Sequence, residues 1–316
     1  MQKLKHYQKV AFLFPGQGAQ YPAMGKDFIQ NFSAARLTFE EADDCLSRPL
    51  SSIILDDPEQ QLTQTVNSQP AIYTVSMAIL RVFKELYEWT PFACAGLSLG
   101  EYTALSAGEW LSFRNTLPLV QHRANCMQAA CEFVKGSMAA VIGLSNESIE
   151  DLVKGLNLPN DLWIANYNCP GQVVLSGSIK GIEAGMEEAR RRGAKRVLPL
   201  QVSGAFHSGL MKTAEDGLSP NIMEARLQQG DARLVMNVPG DFVSDLTMVR
   251  SNLIRQVTHS VRWEQGIKAL EKEGVDLFIE FGPGRSLSGM NKKIGVNAPT
   301  LTIEKVEDLD QFGSIK

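Results

Sequence analysis

The sequence is poor in several features that would each mark a class of protein. It has no excess of positive charge: 31 Lys and Arg stand against 35 Asp and Glu, a formal net charge of -4. A dedicated nucleic-acid binder neutralises several phosphates with a strongly basic face, so that class is excluded, although a local basic patch is not. No apolar run is long enough to cross a membrane. The polar start, Met1 to Lys9, leads into an apolar stretch broken at Pro15-Gly16-Gln17, too short for a signal peptide. The five cysteines, Cys45, Cys94, Cys126, Cys131 and Cys169, form no C-x-x-C pair, and Cys126 and Cys131 have no histidine at metal-site spacing. A disulfide framework and a metal site are therefore not expected, and a reduced cytoplasmic setting fits. Histidine is scarce as well, so imidazole chemistry must fall on His6, His122, His207 or His259. There is no internal repeat and no low-complexity segment.

What is present suffices for a large core. Hydrophobic residues make up 44% of 316 and charged residues 21%, which suits one large α/β body with a smaller appendage. Val10 to Phe14 is a continuous apolar run before Pro15-Gly16-Gln17-Gly18 and reads as a buried parallel strand entering a glycine-rich loop. Asp27 to Ala42 reads as one helix, and Pro70 to Tyr87 as another, with Ile72, Val75, Ile79, Val82, Phe83 and Leu86 at helical spacing. Phe92 to Ala95 is the next strand; helices follow from Glu101 and from Phe113 to about Cys131.

Between residues 136 and 201 the order is strand, helix, strand, strand, helix, strand. This is the ferredoxin-like split pattern, expected to bury one sheet face under two helices. It reads as an inserted subdomain with close ends, which leaves 1–135 and 202–316 as one catalytic domain. Later come helices, a strand from Leu234 to Val238, helices at Val249 to Val257 and Trp263 to Glu273, a core strand Leu277 to Phe281 and a last short strand near Ile303.

Gly96-Leu97-Ser98-Leu99-Gly100 is a G-x-S-x-G between a strand and a helix, the context of a nucleophile elbow. The glycines permit a sharp turn that raises the serine above the carboxyl edge of the sheet. The free N–H groups opening the helix, that of Leu99 first, can stabilise an oxyanion. The plainer alternative is a tight turn with a helix-capping serine. A serine nucleophile needs a base. His6 lies in a polar tail, and His122 and His259 lie in or beside helices, as surface histidines do. His207 follows a strand in a Gly-Ala-Phe-His-Ser loop, near the expected active edge. No acidic residue adjoins it in sequence, so a main-chain carbonyl is the candidate partner for its Nδ1–H.

Taken together, Phe14-Pro15-Gly16-Gln17-Gly18, Ser98-Leu99-Gly100-Glu101, Gln121-His122-Arg123 with Met127-Gln128, Asn166-Tyr167-Asn168 before Pro170-Gly171-Gln172, Gly204-Ala205-Phe206-His207-Ser208 and Gly282-Pro283-Gly284 follow a recognisable order. Over residues 8–304 the chain closely resembles the malonyl-coenzyme A:acyl carrier protein transacylases. The resemblance implies an α/β-hydrolase-like core with a parallel sheet and an inserted ferredoxin-like subdomain. It makes Ser98 the acylated nucleophile, His207 the base, Gln17 and the Leu99 N–H the oxyanion hole, and Arg123 the grip on the malonyl carboxylate. Gln256 matches a position associated with the serine and histidine, Asn166 lies in a shared motif, and Phe206 goes with malonyl rather than a methyl-branched analogue. Two positions depart from the family: Leu97 stands where histidine is common, and Ala124 where glycine is common. Neither removes a reacting group, and the methyl of Ala124 suits a helix.

The implied reaction uses malonyl-coenzyme A as substrate and needs no resident cofactor; the phosphopantetheine belongs to the acceptor, acyl carrier protein. A planar guanidinium at Arg123 would hold a carboxylate by paired charge-assisted bonds; the alternative is a surface arginine covering apolar neighbours with its stem. The acceptor being acidic by resemblance, Arg190, Arg191, Arg192, Lys195 and Arg196 form the candidate docking patch, with a solvated charge run as the alternative. A monomer is expected. The rival functions are a serine hydrolase or thioesterase, with water as acceptor, and a noncatalytic module that binds carrier protein.

Overall fold

The computed structural model describes residues 7–313; His6 lies outside them. Among the described residues, ten strands form two sheets. They are β1 (Val10–Phe14), β2 (Ala93–Gly96), β3 (Gly136–Ile142), β4 (Leu162–Cys169), β5 (Gln172–Ser178), β6 (Arg196–Pro199), β7 (Arg233–Met236), β8 (Asp241–Val243), β9 (Leu277–Phe281) and β10 (Thr300–Ile303). The larger sheet has the order β10-β9-β1-β2-β7-β8, parallel except for the antiparallel edge β8.

The central strands β1 and β9 are buried at every residue, Glu280 of β9 included, as strands are when helices cover both sheet faces. Alternation sorts their side chains. Phe12 and Phe14 join the core on one side with Phe83 and Phe281, while Ala11 and Leu13 face Ala93, Phe278 and Ile267 on the other. Phe12 meets Phe281 edge-on at 4.7 Å, and Phe83 meets Phe281 at 5.1 Å.

The smaller sheet is antiparallel, with the order β4-β5-β3-β6, the strand order of a ferredoxin-like unit. Its helices, Asn146–Leu156 and Ile179–Arg191, begin at Ser145 and Ser178, whose side chains accept from Ser148 and Gly181 N–H. Such caps satisfy donors that a helix start leaves free. These helices cover Ala139, Val141, Val173 and Leu175. The opposite face is also buried: Met138, Ala165 and Val174 join the main core. A parallel bridge between Asn166 and Val261, with Tyr167 N–H donating to Val261 O and Val261 N–H to Ala165 O, stitches this sheet to the rest.

Several element boundaries differ from the sequence reading. Asp27 to Ala42 is two helices, Lys26–Asn31 and Ser33–Leu46, because Phe32 is extended at φ -133. The Asn31 amide donates to Asp27 O at that break, a side-chain bond that competes with helix continuation. The helix expected from Pro70 starts earlier, at Thr65, and runs to Leu86 with Pro70 inside it. Pro70 has no N–H for the carbonyl four residues back; Val66 O instead accepts from Arg48 Nη2 at 3.1 Å and Gln121 Nε2 at 3.0 Å. Side chains from two other segments thus complete the helix immediately beside Gln69.

Candidate active site

Ser98 stands between β2 and the helix Gly100–Ala107, at the carboxyl end of the parallel sheet. Its φ is 52, an unusual conformation for a residue with a side chain and one that costs energy. Glycine is required on both sides. A Cβ on Gly96 would lie 1.9 Å from the Gly100 carbonyl carbon, and one on Gly100 would lie 2.1 Å from Phe14 O. The turn is held from outside as well: Ser98 N–H donates to Asn237 Oδ1 at 2.7 Å, and Gln256 Nε2 donates to Ser98 O at 2.9 Å.

Two nitrogen groups converge on the hydroxyl. His207 Nε2 lies 2.8 Å from Ser98 Oγ, and Arg123 Nη2 donates to the same oxygen at 3.1 Å. His207 Nδ1 lies 2.8 Å from Gln256 O, where a hydrolase triad would place a carboxylate. That carbonyl is available because Gln256 caps the C-terminus of the helix Leu246–Arg255, where carbonyls lack intrahelical donors. The arrangement favours the tautomer with hydrogen on Nδ1, leaving Nε2 to take a proton from Ser98. Burial, followed by the Arg123 charge, pushes the imidazole down to about 4 from 6.5, so it is a neutral base at ordinary pH.

Arg123 is 1% exposed, which overturns the surface-arginine reading. Its helix, Phe113–Phe133, turns this side chain towards a polar stripe on Thr65–Leu86. Nη1 donates to Gln69 Oε1 and Nη2 to Gln256 Oε1 at 2.8 Å, and the guanidinium lies 5.5 Å from the Tyr102 ring centre. Among the described residues it has no ion pair, and its buried Nε–H has no acceptor. A buried guanidinium left this way is suited to an incoming carboxylate.

The remaining sequence candidates fall at different distances from this centre. Leu99 caps the nucleophile helix, which leaves its N–H outside the helical ladder. Gln17 is half-buried and reaches Thr65 Oγ1 and the Gln69 amide, at 3.2 and 3.4 Å. Phe206 is buried next to His207. Asn166 belongs to the stitch between the two sheets. Leu97 packs on the apolar cluster of the second sheet face, and Ala124 is fully buried within its helix. His122 lies against Gly217 O, while His259 lines a cleft of about 550 Å³ that opens at His207 and also includes Trp163, Ile164 and Lys212. In the basic run, Arg191 and Arg192 both pair with Glu188, whereas Arg190, Lys195 and Arg196 are exposed without an ion pair among the described residues.

Asn237 and Glu101 were not assigned roles from sequence. Asn237 also donates through Nδ2 to Gly96 O at 2.7 Å, and its N–H donates to Glu101 Oε2. The available signal was its position just beyond β7, at the carboxyl end of a parallel strand, where α/β proteins place functional groups.

A half-buried turn serine paired with a histidine beside a buried cation is the arrangement of an acyl-transfer site. The acyl transferase domain family model matches residues 11–295. The chain is 41% identical over 303 residues to the malonyl CoA-acyl carrier protein transacylase of Bacillus subtilis (strain 168), covering 96% of this chain and 95% of that protein. Its structure superposes with a TM-score of 0.91 on an acyl-carrier-protein-S-malonyltransferase from Bartonella henselae, at 39% identity and with 96% and 98% of the two chains covered. The same score, at 34% identity and equal coverage, relates it to a malonyl-transacylase solved in complex with its type II PKS acyl-carrier protein. The chain belongs to the malonyl CoA-acyl carrier protein transacylase family.

Proposed function

We propose that this protein transfers a malonyl group from malonyl-coenzyme A to the phosphopantetheine thiol of acyl carrier protein through an ester on Ser98, supplying extender units for fatty-acid synthesis. The observation that carries the reading is a buried guanidinium without an ion pair among the described residues, sharing Ser98 Oγ with His207. Family membership and the relatives' names point to the same reaction.

Ser98 Oγ attacks the thioester carbonyl as His207 Nε2 takes its proton. The Leu99 N–H and Gln17 receive the oxyanion. Collapse breaks the carbon–sulfur bond, and the departing coenzyme A thiolate takes the proton held by His207. In the second half the carrier-protein thiol gives its proton to His207 and attacks the ester, and Ser98 regains a proton as it leaves. Arg123 holds the malonyl carboxylate throughout and so fixes where the carbonyl falls. An acetyl group leaves that cation without its partner.

The bulk of Phe206 limits space beside the malonyl C2. The cleft lined by His207, whose ring lies against Ser98 Oγ, would receive the thioester arm. Arg190, Lys195 and Arg196 are the exposed part of the basic run, suited to steer an acidic carrier protein. The site is assembled from one chain, which suits a monomer; unpaired cysteines suit the cytoplasm, and no resident cofactor is required. The test is intact-mass analysis with a panel of coenzyme A thioesters, with and without carrier protein. A single malonyl adduct that the carrier protein removes supports transfer. Rapid thiol release without acceptor indicates a hydrolase, and no adduct on folded protein indicates a noncatalytic module.

A further inference from the structure

Glu101 lies one helical turn beyond the nucleophile and has no accessible surface. Its oxygens are held by uncharged donors: Oε2 accepts from Asn237 N–H, and Oε1 accepts from Gln256 Nε2 at 2.9 Å. A buried carboxylate is costly, and an apolar residue would fill the same space at less cost. Its two partners are the residues that grip the Ser98 peptide, Asn237 at its N–H and Gln256 at its carbonyl.

Gln256 also reaches Arg123 with its other amide atom, Oε1 accepting from Nη2 at 2.8 Å. A side-chain amide can be turned end for end, exchanging its donor and acceptor. A carboxylate only accepts, so Glu101 admits one orientation: Nε2 towards itself and Oε1 towards the guanidinium. The charge of Arg123 favours the ionised carboxylate that this requires, opposing the burial that raises Glu101 to about 7.

We propose that Glu101 is a positioning residue that sets the Gln256 amide and thereby both aims Arg123 and braces the Ser98 turn, so that it governs the preference for acyl groups with a free carboxylate as well as the rate of Ser98 acylation. This rests on the roles of Ser98 and Arg123 proposed above. In Glu101→Gln one oxygen becomes an NH2 group, and either Asn237 N–H or Gln256 Nε2 then faces a donor. Glu101→Asp keeps the charge but reaches less far.

The test measures single-turnover acylation of Ser98 by malonyl- and acetyl-coenzyme A at about pH 8, where the carboxylate is ionised. Rates are normalised to the sites titrated by a neutral fluorophosphonate. In Glu101→Gln, malonyl acylation is expected to fall about tenfold to a hundredfold, and the malonyl-to-acetyl ratio at least about fivefold. Glu101→Asp is expected to give an intermediate ratio. An unchanged ratio in folded Glu101→Gln overturns the proposal. If that variant does not fold, an unchanged ratio in Glu101→Asp does so. Failure of the wild-type protein to form a malonyl adduct, or its persistence in Ser98→Ala, would instead sink the underlying assignment.

Discussion

Replacing Arg123 by methionine, which keeps an unbranched stem and removes the charge, is expected to move the acid limb of Ser98 reactivity upward. In the intact site burial and then Arg123 hold His207 at about 4 rather than 6.5. The two nitrogens approach one oxygen, at 2.8 and 3.1 Å, so they are at most about 6 Å apart. At an effective dielectric constant of about 20, unit charges at that distance repel by about 3 kcal/mol, or about two decades in acidity. Over this acid limb Glu101, raised to about 7 by burial, is protonated and offsets none of it, so a rise of up to about two pH units is expected. Burial persists in the variant, and His207 therefore stays below its ordinary value. The sign follows from the base role: only neutral imidazole accepts the serine proton, so the rate falls as pH drops through the His207 value. Labelling of Ser98 by a neutral fluorophosphonate suits the measurement, because the reagent has no carboxylate to pair with Arg123 and its second-order rate reports the free enzyme. Circular dichroism at each pH confines the comparison to folded protein. An acid limb unmoved by Arg123→Met, or a wild-type limb centred near 6.5, refutes the reasoning.

Ser98→Ala is expected to abolish the malonyl adduct in intact-mass analysis, and undiminished labelling would place the nucleophile elsewhere. His207→Ala should slow both half-reactions by about two to four orders of magnitude in rapid-quench experiments; normal rates would remove it as the base. Arg123→Ala should reduce malonyl transfer by about a hundredfold or more while affecting acetyl transfer far less, because only malonyl loses a buried ionic partner. Equal losses in steady-state assays with the two thioesters would leave Arg123 a structural role alone.

The parts of this site legible in the sequence are those fixed by local chemistry. Gly96 and Gly100 are needed because their neighbours approach too closely for a Cβ, and that demand appears as a motif five residues long. His207 emerged because few histidines are available and its loop follows a strand. The burial of Arg123 was less accessible: helical spacing puts a charged residue on an apolar face with Leu119, Val120 and Met127, and only the facing surface of Thr65–Leu86, polar and buried with Asn67, Ser68 and Gln69, accommodates it. Asn237 was hidden for another reason, since its bonds to Ser98 and Glu101 join positions more than a hundred residues apart in the chain. The three-residue strand β8 is too short to show a period. At Phe32 a side-chain bond from Asn31 accompanies a helix break, and at Pro70 bonds from Arg48 and Gln121 sustain a helix through a proline; neither is visible in the helical pattern.

The same guanidinium ties selectivity to reactivity. Without a carboxylate partner, the Arg123 charge opposes a proton on His207 and weakens it as a base. In the proposed mechanism a malonyl carboxylate on Arg123 would offset that charge and raise the proton affinity of Nε2 just as Ser98 must lose its proton. Water or an acetyl thioester brings no such compensation. The main-chain carbonyl at His207 Nδ1 acts in the same direction: it orients the ring without the full negative charge that stabilises an imidazolium in a hydrolase triad. The base is therefore strengthened chiefly while a diacid occupies the site. The proposed malonyl ester would keep its carboxylate on Arg123, so the strengthened base would remain in place for the incoming thiol. On this proposal, protection of the ester from water would come from how the acceptor is delivered, through the cleft lined by His207, rather than from an inert histidine.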